Sequence, residues 1–174
     1  MRRLSAFIAL LSLAILGIAA SAEAQQSWVE YRPAGAGYRV EFPAAPKITK
    51  EDINSHLGKA SFTYAEYESK GGFILVAMQT VYPSSPPDPQ AFLDIAGASG
   101  VKSASATLRE EKRLTVGGKP ARRMIMEMPD KLVGVALVVL NGNRLYNTMA
   151  VVPQGQESSA DVQRFIESFA LVPM

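Results

Sequence analysis

The sequence predicts an α+β fold: a largely antiparallel sheet of about six to eight strands with a few helices packed on it. Three observations carry this expectation. Two apolar, β-branched-rich runs, Leu132 to Leu140 and Leu145 to Val152, flank a short segment containing Asn141-Gly142, and this is a strong hairpin signal because both turn residues tolerate positive φ. Apolar and polar side chains alternate with a period of two through Tyr38–Phe42 and again through Lys59 to Glu68. Helical patterns are confined to two stretches, one after Asp88 and one near the C-terminus. Because Leu132 to Leu140 is apolar on both faces, its hairpin belongs in the middle of a sheet that is covered on both sides.

The elements follow in order. Gln25 to Pro33 carries the only tryptophan, Trp28, placed to pack the terminus onto the body. Pro33-Ala-Gly-Ala-Gly37 is a turn by composition, and in the strand after it Tyr38, Val40 and Phe42 alternate with Arg39 and Glu41. Pro43 and Pro46 end that strand, since neither donates to a ladder. Lys47 to Asp52 reads as a more polar strand and Asn54 to Gly58 as a loop containing His56. Lys59 to Glu68 and Phe73 to Tyr82 make a hairpin around Lys70-Gly71-Gly72. Asp88 suits a helix N-cap and Pro89 the first helical position, with Phe92, Ile95, Ala96 and Ser99 expected on one face. Gly97 and Gly100 predict that this helix is short. Ala106 to Val116 and Ala121 to Met128 form a third hairpin around Gly117 to Pro120, with Met124, Met126 and Met128 on one face of the second arm. The last helix starts at Ser158 or Ser159, and Val162, Phe165, Ile166 and Phe169 form its apolar face.

The first 24 residues read as a cleaved leader. Arg2 and Arg3 precede an apolar run from Leu4 to Ala20, and Ala22-Glu23-Ala24 supplies a small-x-small cleavage site, so Gln25 becomes the mature N-terminus. The apolar run is short for a membrane anchor, which needs roughly 20 apolar residues. The expectation is therefore a periplasmic or secreted protein that is not integral to the membrane after cleavage, with residues 25–174 forming one domain. With no cysteine, that domain has neither a disulfide nor a lipid-bearing thiol. A chain of about 150 residues buries close to 70% of the surface its unfolded form exposes, so packing alone can hold it. Eighteen basic residues against sixteen acidic ones leave a near-neutral chain, which argues against a nucleic-acid partner.

Familiar reaction chemistry is not legible. Nucleophilic catalysis needs an activated nucleophile beside a positioned base, and His56 would have to serve alone as that base. Gly97-Ala-Ser-Gly100 lacks the spacing of a nucleophile elbow. Glu51-Asp52, Glu66 with Glu68, and Glu110-Glu111 lack the spacing of a dedicated cation loop, and zinc ligands at short spacing are missing. No catalytic, metal or cofactor residue is assigned, and no binding residue either. One cluster invites a partner: Lys112, Arg113, Lys119, Arg122 and Arg123 flank a single turn, where they could present positive charge to an anionic surface. The alternative is an edge hairpin guarded by charge against aggregation. The three methionines read as gap-filling core under a helix.

Two stretches resemble the PsbP-like proteins. Gly37-Tyr38-Arg39-Val40-Glu41-Phe42-Pro43, following Tyr31, is similar to that family's opening strand. Asn141-Gly142 with Leu145-Tyr146, and then Phe165, Ser168 and Phe169, is similar to its closing hairpin and helix. Ala45-Pro46-Lys47 stands where photosynthetic members tend to have a tryptophan, so the likeness is greater to envelope proteins of non-photosynthetic bacteria. The resemblance implies an α/β/α sandwich around an antiparallel sheet, a fold shared with a Ran-binding nuclear transport factor. It also implies proteins that bind and assist complexes rather than catalyse reactions. The functional expectation is a non-catalytic exported module of the cell envelope whose partner is an envelope protein. An enzyme with an atypical carboxylate or tyrosine site, and a structural envelope protein, are the alternatives.

Overall fold

The computed structural model describes residues 27–55 and 57–174. The leader expected over residues 1–24 and the lone His56 lie outside the described residues. Seven strands form the main sheet: β3 (Lys47–Ser55), β4 (Gly58–Glu68), β5 (Ile74–Val81), β6 (Thr107–Val116), β7 (Lys119–Met128), β8 (Leu132–Asn141) and β9 (Arg144–Pro153). Their spatial order is β3-β4-β5-β9-β8-β7-β6, with every pair antiparallel. The β8–β9 hairpin lies at the centre, as its doubly apolar sequence requires, and Val133 to Leu140 are all buried. Its turn differs by one residue from the Asn-Gly expectation. Asn141 still pairs with Arg144, so Gly142 and Asn143 form the loop and only Gly142 takes positive φ.

The alternating strand β2 (Tyr38–Phe42) does not join the main sheet. It is the middle of a separate three-stranded sheet, between β1 (Val29–Tyr31) and β10 (Ala170–Leu171). This small sheet and helix α2 (Ala160–Glu167) roof one face of the main sheet. Tyr38, Val40 and Phe42 are turned inward with Val162, Phe165, Ile166 and Phe169. Ring pairs tie the roof together: Phe42 lies 5.1 Å from Phe165, and Tyr38 lies 5.1 Å from Tyr146 and 5.8 Å from Phe169. Each fully buried side chain of this size contributes about 1.5–3 kcal/mol. The turn before β2 is pinned from below, because the Ala36 carbonyl accepts from Gln79 Nε2 at 2.8 Å and from the Tyr146 hydroxyl at 2.9 Å. Trp28 is half-buried against this core, with the Arg164 guanidinium 4.7 Å above its ring, in keeping with a packing role.

Helix α1 (Pro89–Ser103) covers the other face over β7 and β8, giving the α/β/α layering. Asp88 caps it as expected, accepting from the backbone N–H groups of Gln90 and Ala91. Two expectations about this helix are corrected. It runs for 15 residues, straight through Gly97 and Gly100. Its buried face is Phe92, Leu93 and Gly97, while Ile95 is 57% exposed and Ser99 lies at the surface. Packing is the reason: a Cβ on Gly97 would sit 3.1 Å from Met124 Sδ, so the glycine lets the helix settle onto the sheet. Met124 and Met126 are buried beneath it, as core-filling thioethers should be. No helix among the described residues is long and apolar enough to cross a membrane.

Candidate functional site

A concavity lies between α1 and the edge strand β6. It encloses about 540 Å³, with Gly97, Ala98 and Val101 on the helix side and Leu108, Glu111 and Arg113 on the strand side. That size falls inside the range of about 300–1,000 Å³ usual for small-molecule sites. A β-bulge sets its chemistry. The β6–β7 register slips between Leu108 and Glu110, so one extra residue enters β6. Leu108, three residues before Glu111, therefore shares a face with Glu111 and Arg113. Without the slip, strict alternation would have turned both charged groups to the opposite face.

On the strand side, Arg113 stands directly across from Arg122 on β7. Like charges in facing positions repel. Asp94 on α1 resolves the conflict by accepting from both, Arg122 Nη2 at 2.6 Å and Arg113 Nη2 at 3.1 Å. The Arg122 side chain is fully buried and its donors are directed to fixed acceptors. Its Nε serves Asp94 at 3.2 Å and Glu111 at 3.1 Å, and the remaining bonds go to the carbonyls of Ala121 and Gln90. The hydrogen bond from Arg122 holds the Asp94 carboxyl below its ordinary range, and the charges of Arg113 and Arg122 add to it. A buried guanidinium saturated in this way orients two carboxylates and is not itself free for a ligand.

The basic cluster read from sequence is therefore not one patch. Arg113 and Arg122 lie in the groove beside carboxylates. Lys112 pairs with Arg123 across the strands and both point to the α2 face, with Lys119 on that same face at the end of β7. Arg123 there borders a shallow apolar groove of Leu114, Val116, Leu137, Ile166 and Phe169, which also carries Glu167. The chain alternation placed five cations around one turn; the pleat divides them between two faces.

Other candidates resolve as follows. Asp52 bonds Lys59 at 2.9 Å, and Glu110 lies 3.8 Å from Arg109. Glu66 accepts from the Tyr64 hydroxyl on the same strand face, a carboxylate–tyrosine contact of the kind an atypical enzyme would use. Burial first, and Glu66 second, push the Tyr64 phenol up to about 12, which keeps it protonated near neutral pH. Burial likewise raises Tyr31, Tyr38, Tyr82 and Tyr146. Among the described residues no three His, Cys, Asp or Glu side chains converge on a point where a metal ion could sit.

Sequence reasoning missed the Asp94–Arg122–Glu111 set. Its members come from three elements, and the only local sign was a like-charged pair, Arg122-Arg123, set between Ala121 and the apolar run Met124-Ile125-Met126.

No protein-family model matches the chain, and no curated protein matches it. Among solved structures, the solution structure of cyanobacterial PsbP (CyanoP) from Synechocystis sp. PCC 6803 aligns with a TM-score of 0.56 at 11% identity. The alignment covers 86% of this chain and 95% of that one. A Pseudomonas aeruginosa protein of unknown function, described as a putative regulator, aligns over 78% of this chain and 85% of its own at 14% identity. Its TM-score of 0.36 is too low to carry an argument. The architecture built above from strand order and layering is thus a PsbP-like fold, the one the sequence resemblance implied.

Proposed function

We propose that the chain is a non-catalytic accessory module of the bacterial cell envelope, exported behind residues 1–24, that holds its partner in the groove between α1 and β6. The observation that carries this reading is the state of the charges in that groove. General acid or base work needs a group whose pKa lies near the working pH and whose proton is free to move. Here Asp94 is held ionised by Arg122 and Arg113, and Glu111 is engaged by Arg122. Such pairing shapes a surface for recognition instead of supplying a proton. The PsbP-like fold supports the same reading, since the family resemblance implies proteins that assist complexes.

The test is expression of the full chain in a Gram-negative host, followed by fractionation, N-terminal sequencing and crosslinking in the envelope. The expected result is a periplasmic chain beginning at Gln25 and a crosslinked partner that is lost when Ala98→Phe fills the groove. Retention in the cytoplasm, or a partner indifferent to Ala98→Phe, would overturn the proposal.

A further inference from the structure

We infer that the α1–β6 groove takes an anionic amphiphile, with a carboxylate or phosphodiester head at its rim and an apolar chain along its floor. This deepens the proposal that the groove is the binding surface and rests on it. Five charged side chains surround the groove: Asp94 and Glu111 against Lys102, Arg113 and Arg122. The set carries one uncompensated positive charge. Its location is at the rim, because Arg122 is sealed beneath the two carboxylates. Lys102, exposed in the last turn of α1, makes no ion pair among the described residues. Arg113 is 67% exposed, and its recorded bonds to Asp94 use only Nη2. The Nε and Nη1 donors of Arg113 and the ammonium of Lys102 thus remain for a single negative head group, each giving its own charge-assisted hydrogen bond.

The rest of the lining is apolar. Val101, Leu108 and Met124 form the walls, and Leu108 is 41% exposed although it is a large aliphatic residue. Gly97, Ala98 and Ala106 withhold the side chains that would fill the space. Met124 gives the floor a polarizable surface that accommodates a flexible chain. A cation would meet the surplus positive charge, and a neutral amphiphile would leave it unbalanced. Charge and lining together select a head that is singly negative and a tail that is hydrocarbon.

The experiment uses the mature chain, residues 25–174, titrated by NMR with octanoate, octylammonium and neutral octyl glucoside. Octanoate is expected to bind with the largest shifts at Gly97, Val101 and Leu108, and at least about tenfold more tightly than the other two, the size of one charge-assisted contact. Lys102→Gln should weaken octanoate by on the order of tenfold. Ala98→Phe should abolish binding while leaving the thermal unfolding transition in place. Cosedimentation with phosphatidylglycerol vesicles, compared with phosphatidylcholine vesicles, distinguishes a lipid head in a membrane from a free amphiphile. Binding to the anionic vesicles that is lost in Lys102→Gln would place the same chemistry on a lipid. Equal affinity for octanoate and octylammonium, or shifts confined to other surfaces, would overturn the inference. So would the absence of binding to octanoate and to anionic vesicles alike. If in that last case the envelope crosslink still depends on Ala98, the groove remains a binding surface and only its ligand class is refuted.

Discussion

The two faces of the main sheet are covered in different ways. The α2 face is closed by a helix and a second sheet, and its core holds Tyr38, Tyr146 and Phe169 in ring contact, joined through Tyr31 to Phe42 and Phe165. The α1 face has a single helix over two strands, a floor of methionines, and a glycine at the point of closest approach. Gly134 repeats that device in β8, where a Cβ would lie 3.0 Å from Met126 Cγ and 3.2 Å from Met128 Sδ. One face is built from large, closely packed aromatic rings. The other is assembled from flexible thioethers and ion pairs, and its groove of about 540 Å³ is larger than the shallow one of about 320 Å³ on the α2 face. In this domain the aromatic core and the charged groove lie on opposite sides of one sheet.

Substitutions can break or sharpen that contrast. The largest effect belongs to the aromatic roof: Phe165→Ala should lower the free energy of unfolding in urea by about 4 kcal/mol, through lost burial and the cavity left behind. Arg122→Ala on the groove side should cost about 3 kcal/mol, because it strands two carboxylates and leaves the space of a long side chain empty. If Arg122→Ala proved the more damaging, the larger share of stability would not lie on the aromatic face.

Acid titration sharpens the point. The folded pKa of Asp94 is lowered, so its contribution is fully present above the unfolded value of about 3.9 and is lost as pH falls below it through the depressed folded value. Asp94→Asn should therefore be less stable than the parent at neutral pH and converge with it at strongly acidic pH. Because Asp94 is partly exposed, added salt should shrink the neutral-pH difference. A difference that stays constant with pH would mean that the pairing with Arg122 and Arg113 is energetically silent. The smallest effect separates two glycines of one helix. Nothing lies within 4 Å of a Cβ built on Gly100, so Gly100→Ala should stabilise by about 0.5–1 kcal/mol. Gly97→Ala should forfeit that gain against Met124, and an equal gain at both positions would show that α1 sits loosely on the sheet.

The same contrast explains what was legible in the sequence. The α2 face could be read because its signals are local: period-two alternation in Tyr38–Phe42, and Val162, Phe165, Ile166 and Phe169 spaced along a helix. The central hairpin announced itself by its apolar runs and turn. The α1 face resisted for a physical reason. Its helix packs through Phe92, Leu93 and Gly97, and a glycine contributes nothing to a hydrophobic period, so the apolar stripe pointed toward Ile95 instead. The groove resisted more strongly. Arg109 inserts a bulge that reverses the faces of the residues after it, and Asp94 meets Arg122 only once a helix has crossed two strands. Cation count along the chain says nothing about which side of a pleat each cation occupies.

The small three-stranded sheet has a temporal consequence. β2 is made early, yet one of its two neighbours is β10, whose Ala170 and Leu171 pair with Arg39 and Tyr38, and the Val172 amide donates to the Gly37 carbonyl. Hairpins join β3-β4-β5 and β6-β7-β8-β9, and β5 meets β9 only across the intervening elements, but the aromatic lid needs residues 169–172 as well. Closure of that lid acts as a latch thrown once residues 169–172 are in place, and clipping the chain after Ser168 would leave Tyr38 uncovered on an otherwise well-formed sheet.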